Sequence, residues 1–155
     1  IRYALYLLDQ YATKPAGLAV PTDILTLGAV QLEHIAPQNP HDSISNAVVD
    51  PEMIHSFGNL CLLDPQDNLA ASNHPFEVKC ALVKKMKEAQ PPHLLRFHLS
   101  AKVFESKTRP VWDNEAIQAR EALLLNQLFD CLTYSFIFHR CRHSFFVIYL
   151  FVNFS

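Results

Sequence analysis

The sequence predicts an α+β domain in which two short strands are embedded in α-helices. Two short apolar runs, 25–35 and 57–63, have strand character and are separated by a long polar loop. A capping residue followed by proline, Asp64-Pro65, stands directly after the second run and opens a helix. Much of the remaining chain up to residue 132 carries helix formers with apolar residues at helical spacing.

Residues 2–11 (RYALYLLDQY) are apolar at most positions and rich in helix formers, so they read as a buried helix. Pro15, Gly17 and Pro21 make 13–22 a loop. A rough alternation in 25–35 (LTLGAVQLEHI) suits a strand leading into Glu33 and His34. Residues 37–51 are polar and hold Pro37, Pro40 and Pro51, and a loop of that length in a compact domain tends to carry function.

Gly58 introduces the second strand, 57–63 (FGNLCLL), and Asp64 then caps a short helix over 66–72. Asn73-His74-Pro75 repeats the start signal for a helix over 75–89 bearing Lys79, Lys84, Lys85 and Lys87, which Pro91-Pro92 closes. A further helix is expected over 94–104, and an amphipathic one over 114–132 after Trp112 and Asp113. From Tyr134 onward the chain is Phe-rich. Its longest apolar run, 145–152, is too short for the roughly 20 residues a membrane-spanning helix needs. The segment 133–155 is either a buried element or a tail foreign to the domain, such as a frameshift product.

Composition excludes several classes. With 155 residues the chain holds one domain, and 50% hydrophobic against 18% charged residues excludes general disorder. A net charge of −2 lacks the strongly basic signature of many nucleic-acid binders, though a local basic face can hide in a neutral total. Three glycines, with no GxGxxG or GxxxxGK[ST], exclude a Gly-rich phosphate cradle. The four cysteines are widely spaced without a CxxC pair, so no structural zinc and a reducing cytoplasm are expected. No charged n-region and apolar h-region open the chain. The opening IRYALYLLDQ is expected to start in mid-helix, as in a piece of a longer protein.

The chemistry-bearing residues lie in two stretches, LEHIAPQN (32–39) and GNLCLLDPQDN (58–68). Hydrolysis of a phosphodiester needs a water, a base to deprotonate it, and a cation at the phosphoryl and leaving oxygens. Imidazole is the natural base near neutral pH, and His34 offers one. A hard divalent cation takes oxygen from carboxylate and amide side chains, and Glu33 and Asn68 supply such oxygens. In a strand Glu33 and His34 point to opposite faces, so one site uses both only where the strand bends or ends.

The order of strand, acidic-His pair, loop, Asn-Leu strand and short Asn-bearing helix resembles the HNH (ββα-metal) nucleases, including the nine residues between Asn59 and Asn68. More narrowly, RYALYLLD, EHIAPQN, GNLCLLDPQDNLAASNHPFEVK and the later Trp112, Ile117 and Arg120 resemble the C-terminal nuclease domain of GmrSD-type modification-dependent restriction endonucleases, over about 1–132. The resemblance implies a small ββα-metal core at about 28–72, with helices before and after it. It implies His34 as general base, Asn59 as the central Asn that holds the loop orienting that base, and Glu33 and Asn68 as metal ligands. Glu33 stands where these enzymes usually carry Asp, and its longer side chain leaves two roles open, a metal ligand or a carboxylate behind one. Mg²⁺ or Mn²⁺ is the implied cofactor. DNA is the implied substrate, and an N-terminal nucleotide-hydrolysing region the implied partner, in defence against foreign or modified DNA.

Lys79 is expected to meet the DNA backbone, His55 either to stand as an exposed loop histidine or to contact phosphate, and Asn73 either to cap a helix or to contact DNA or metal. Trp112 and Arg120 are expected to pack the C-terminal helices. A catalytically inactive DNA- or protein-binding module of the same fold is the competing expectation.

Overall fold

The computed structural model describes residues 1–13, 29–39, 49–106 and 111–138, with side chains to 133. The described residues form an α+β fold with five helices and a two-stranded antiparallel sheet. Helix α1 (Arg2–Thr13) is followed by β1 (Gln31–His34), β2 (Leu60–Leu63), α2 (Pro65–Ala71), α3 (Phe76–Glu88), α4 (His98–Phe104) and α5 (Asn114–Phe138). Short 3-10 turns at Pro51–Met53 and Phe57–Asn59 lead into β2. The loop expected at 13–22 and residues 25–28 of the first expected strand lie largely outside the described residues, as do 40–48 and 139–155.

β1 and β2 pair with Gln31 opposite Leu63, Leu32 opposite Leu62, Glu33 opposite Cys61 and His34 opposite Leu60. A two-stranded ribbon alone is marginal in water, so the helices must cover it. They cover both faces. Cys61 and Leu63 pack with Ile35, Ala71, Phe76, Phe104, Trp112 and Ile117. Leu60 and Leu62 pack with Leu5, Leu8, Val30, Phe97, Leu124 and Leu128. This is why Leu60-Cys61-Leu62-Leu63 is apolar at every position instead of alternating.

The free edge of β2 is also closed. Arg120 Nη1 of α5 donates to the carbonyls of Gly58 (2.7 Å) and Leu60 (2.8 Å), and Ser100 Oγ of α4 donates to Leu62 O (2.6 Å). An edge satisfied this way offers no template for another strand. Gly58 is required for that fit, because a Cβ there would lie 2.1 Å from the backbone oxygen of Ile117.

The helix boundaries follow from capping groups. Asp64 takes the extended N-cap conformation before Pro65 as the sequence predicts, but its carboxylate accepts from Arg96 (3.2 Å) and makes no cap bond. Helix α4 begins at His98, four residues later than the sequence suggests. There Asp9 of α1 accepts the Leu99 amide (2.8 Å), so the cap comes from a distant helix and no local signal announces it. Asp113 caps α5 by accepting the Ala116 amide (2.9 Å). That helix continues to Phe138, six residues beyond the expected end. Among the described residues no helix is long and apolar enough to cross a membrane.

Candidate functional site

The hairpin ends at His34, and the turn beyond it is built on Asn59. This side chain is fully buried, at 0% exposure. Its Oδ1 accepts from the Ala36 amide (2.8 Å) and from Trp112 Nε1 (3.0 Å). Its Nδ2 donates to Ala36 O (3.0 Å) and Ile54 O (2.8 Å). Two donors and two acceptors exhaust a carboxamide, so Asn59 has nothing left for a substrate. Its backbone oxygen extends the ladder by accepting the Ile35 amide (2.8 Å). Asn59 therefore ties the segment after His34 to the segment before His55. The tryptophan that completes the network was expected only to pack helices. It also stacks on Phe76, with ring centroids 5.2 Å apart.

His34 is half-buried, and its Nε2 lies 3.2 Å from Nδ1 of the exposed His55. The rings meet edge to face at 79°. Burial first, then the neighbouring His55 and Lys79, hold the His34 imidazole below its ordinary pKa. Such a ring stays neutral near pH 7, as a general base must. Among the described residues Nδ1 of His34 has no hydrogen-bond partner. Gln38, two residues after Ala36, brings its amide nitrogen within 3.4 Å of both nitrogens of His55. Neither Gln38 nor the pairing of the two histidines is legible from spacing alone.

Glu33 points to the other face and is buried. Its Oε1 accepts from Lys79 Nζ at 2.5 Å, and the same ammonium donates to His34 O (2.6 Å) and, more weakly, to Ile35 O (3.4 Å). Burial raises the Glu33 carboxyl pKa, and the Lys79 charge pulls it back only in part. The expectation that Lys79 meets a DNA phosphate is corrected here. At 1% exposure its ammonium is enclosed, holding the hairpin end to α3. The exposed lysines of that helix lie beyond it, Lys84 beside Glu88 and Lys87 on Glu105.

Asn68 lies on α2, which packs against both strands. Its Oδ1 is buried without a hydrogen-bond partner among the described residues. A buried carbonyl oxygen without a donor is uncommon and calls for an explanation, an ion among them. The donors thus fit a hard cation at Asn68. They fit it less well at Glu33, whose Oε1 already holds a cation in Lys79. Among the described residues no group of three or more His, Cys, Asp or Glu is placed to hold a metal ion by itself. Asn73 is half-buried between α2 and α3. Cys61 and Cys80 are free thiols, pushed up to about 12 and about 11 by burial.

A hairpin that ends at a half-buried histidine, a central asparagine that fixes the turn behind it, and a following helix with an unsatisfied amide oxygen make up a small α+β domain. Residues 1–127 match the model of the family described as GmrSD restriction endonucleases, C-terminal domain. The chain belongs to that family and is a restriction-endonuclease-related domain. No curated protein and no solved structure of significant similarity was found.

Proposed function

We propose that this domain is a metal-dependent DNA endonuclease of the HNH type, hydrolysing phosphodiester bonds in defence against foreign or modified DNA. The observation that carries the reading is the placement of His34, half-buried at the end of a hairpin whose turn Asn59 holds by four hydrogen bonds. His34 takes the proton of a water that attacks phosphorus in line. Asn59 acts without touching substrate, by fixing the turn that carries the base. Mg²⁺ or Mn²⁺, when bound, neutralises charge on the phosphate. Asn68 would hold it, with phosphate oxygens and waters as the remaining donors. Glu33 stands as a buttress under the strand more than as a direct ligand. The domain extends over about 1–132 and works in the cytoplasm beside an N-terminal nucleotide-hydrolysing region that selects the DNA. Asn73, in the turn between α2 and α3, is kept as a DNA contact.

The test is nicking of supercoiled plasmid in Mg²⁺ or Mn²⁺ by the intact protein and by His34→Ala. Loss of a general base costs about 10²- to 10⁴-fold, so the variant is expected to lose cleavage while keeping its helical circular dichroism. Equal cleavage by the two proteins would overturn the reading. A binding module without catalysis is the second reading, favoured by the Lys79–Glu33 pair, which takes up the carboxylate expected to hold the metal. Plasmid bound but uncut by the intact protein would select it.

The rate should also depend on pH in a stated direction. His34 works only when neutral, and its pKa is depressed by burial, His55 and Lys79, with Glu33 screened behind Lys79. The acid limb of the rate profile is therefore expected below the ordinary imidazole value of about 6.5. Activity persists as pH falls through 6.5 and is lost only at the lower folded value. A limb above 6.5 in a steady-state pH series would contradict this.

A further inference from the structure

We infer that His55 is a positioning residue, which fixes the tautomer of His34 and so decides which ring nitrogen faces the water. The inference rests on the nuclease reading for its consequence, though not for its geometry.

Two ring nitrogens 3.2 Å apart share one hydrogen, so one histidine donates and the other accepts. If His55 donated, the lone pair of His34 Nε2 would be spent on His55, and Nδ1 would carry a hydrogen. Neither nitrogen could then take a proton. If His34 Nε2–H donates to His55 Nδ1, the lone pair of His34 Nδ1 stays open, and that nitrogen has no partner among the described residues. Only the second arrangement leaves a base.

The backbone supports the pairing on both sides. Asn59 Nδ2 donates to Ala36 O, two residues after His34, and to Ile54 O, next to His55. One buried side chain thus sets the two loops at a fixed separation, and the 3-10 turn at Pro51–Met53 carries His55 into place, with the Ile54 amide on Pro51 O (3.4 Å) and the Ser56 amide on Met53 O (3.1 Å). Asp50 at the start of that turn is held to α5 by Asn114, whose Nδ2 donates to Asp50 Oδ2 (2.6 Å) and whose Oδ1 accepts the Asp50 amide (3.0 Å). A histidine meant only to touch phosphate would need no such anchoring against another ring. The partner that orients a working histidine is commonly a carboxylate or carbonyl. Here a second imidazole fills that place.

The experiment compares the intact protein with His55→Ala, His55→Asn and His55→Gln. Asparagine puts its amide oxygen near the position of Nδ1 and can accept from His34, whereas glutamine reaches to the position of Nε2. His55→Ala is expected to lower kcat for plasmid nicking roughly 10- to 100-fold, with KM for DNA changed by less than about threefold. His55→Asn should recover most of that loss, and His55→Gln should not. Nitrogen-15 NMR of the histidine rings, in the absence of DNA, should show His34 protonated at Nε2 in the intact protein and in His55→Asn, with mixed tautomers in His55→Ala.

A rise in KM with unchanged kcat, with no recovery by asparagine, would assign His55 to phosphate contact and overturn the inference. So would a His34 ring protonated at Nδ1. If the intact protein binds plasmid without cutting it, the nuclease reading fails, and the tautomer measurement still decides the role of His55.

Discussion

Replacing Asn59 with alanine is expected to cost about 3–5 kcal/mol of stability, a large share of the roughly 5–15 kcal/mol that holds a domain folded. The substitution strands the Ala36 amide and carbonyl, the Ile54 carbonyl and the Trp112 indole N–H in a dry interior. Each buried group left without a partner costs about 1–3 kcal/mol, and local relaxation keeps the sum below the total of four such costs. The sharper variant is Asn59→Asp, which keeps the shape and both accepted bonds and loses both donated ones. Its carboxylate would face the carbonyls of Ala36 and Ile54, so burial raises its pKa in the folded state. The sign follows: the deficit is smallest below the unfolded aspartate value of about 3.9 and grows as pH rises through the higher folded value. Urea melts at several pH values should show the midpoint of Asn59→Asp approaching wild type in acid, while Asn59→Ala stays uniformly low. A loss below about 1 kcal/mol in either variant at pH 7 would mean that Asn59 does not hold the turn.

Much of this site is legible in the sequence because its residues are tied to local signals. His34 stands at the end of an apolar run three residues before a proline, Asn59 follows Gly58 at the start of the next run, and Asn68 lies within the helix opened by Asp64-Pro65. The architecture of hairpin followed by helix comes from those punctuation marks. The role of Lys79 was readable in principle and easily missed. Phe76, Lys79, Cys80 and Val83 fall at i, i+3, i+4 and i+7, the stripe of α3 that faces the core, whereas Lys85 falls opposite it and Lys84 and Lys87 are exposed toward the helix end. A lysine on a buried stripe calls for an anionic partner, and the alternation of β1 puts Glu33 on the inward face opposite Cys61. What periodicity does not supply is the identity of the pair, which lies 46 residues apart in the chain. The same holds for Asp9 capping α4 across 90 residues and for His55 meeting His34 across 21. These contacts depend on how elements are stacked, and no local pattern encodes the stacking.

Lys79→Met should be the other large perturbation, and it separates the two roles open to Glu33. Methionine preserves most of the apolar stem and removes the ammonium, leaving Glu33 buried without a counter-charge and the His34 carbonyl without its donor. Breaking a buried ion pair from one side costs about 3–5 kcal/mol. The double variant Lys79→Met with Glu33→Leu removes the stranded charge too, and an apolar replacement of a buried pair is often close to neutral. It should therefore recover more than half of the loss, short of full recovery because the His34 carbonyl stays unpaired. Denaturation of the two single variants and the double variant gives the coupling energy directly. Independent, additive losses would show that the pair is not the unit of stability. The folded Glu33 carboxyl, already raised by burial, rises further once Lys79 is gone. The deficit of Lys79→Met should accordingly shrink as pH falls toward the range where Glu33 protonates in the folded state. Catalysis adds a second readout. If Glu33 serves only Lys79, then Glu33→Gln, which keeps an oxygen acceptor for the ammonium, leaves the Mg²⁺ concentration for half-maximal nicking unchanged within about threefold. A direct ligand lost at that position would raise the Mg²⁺ requirement by roughly 10-fold or more. Glu33→Gln thus tells a carboxylate that holds the strand in place from one that binds the cation.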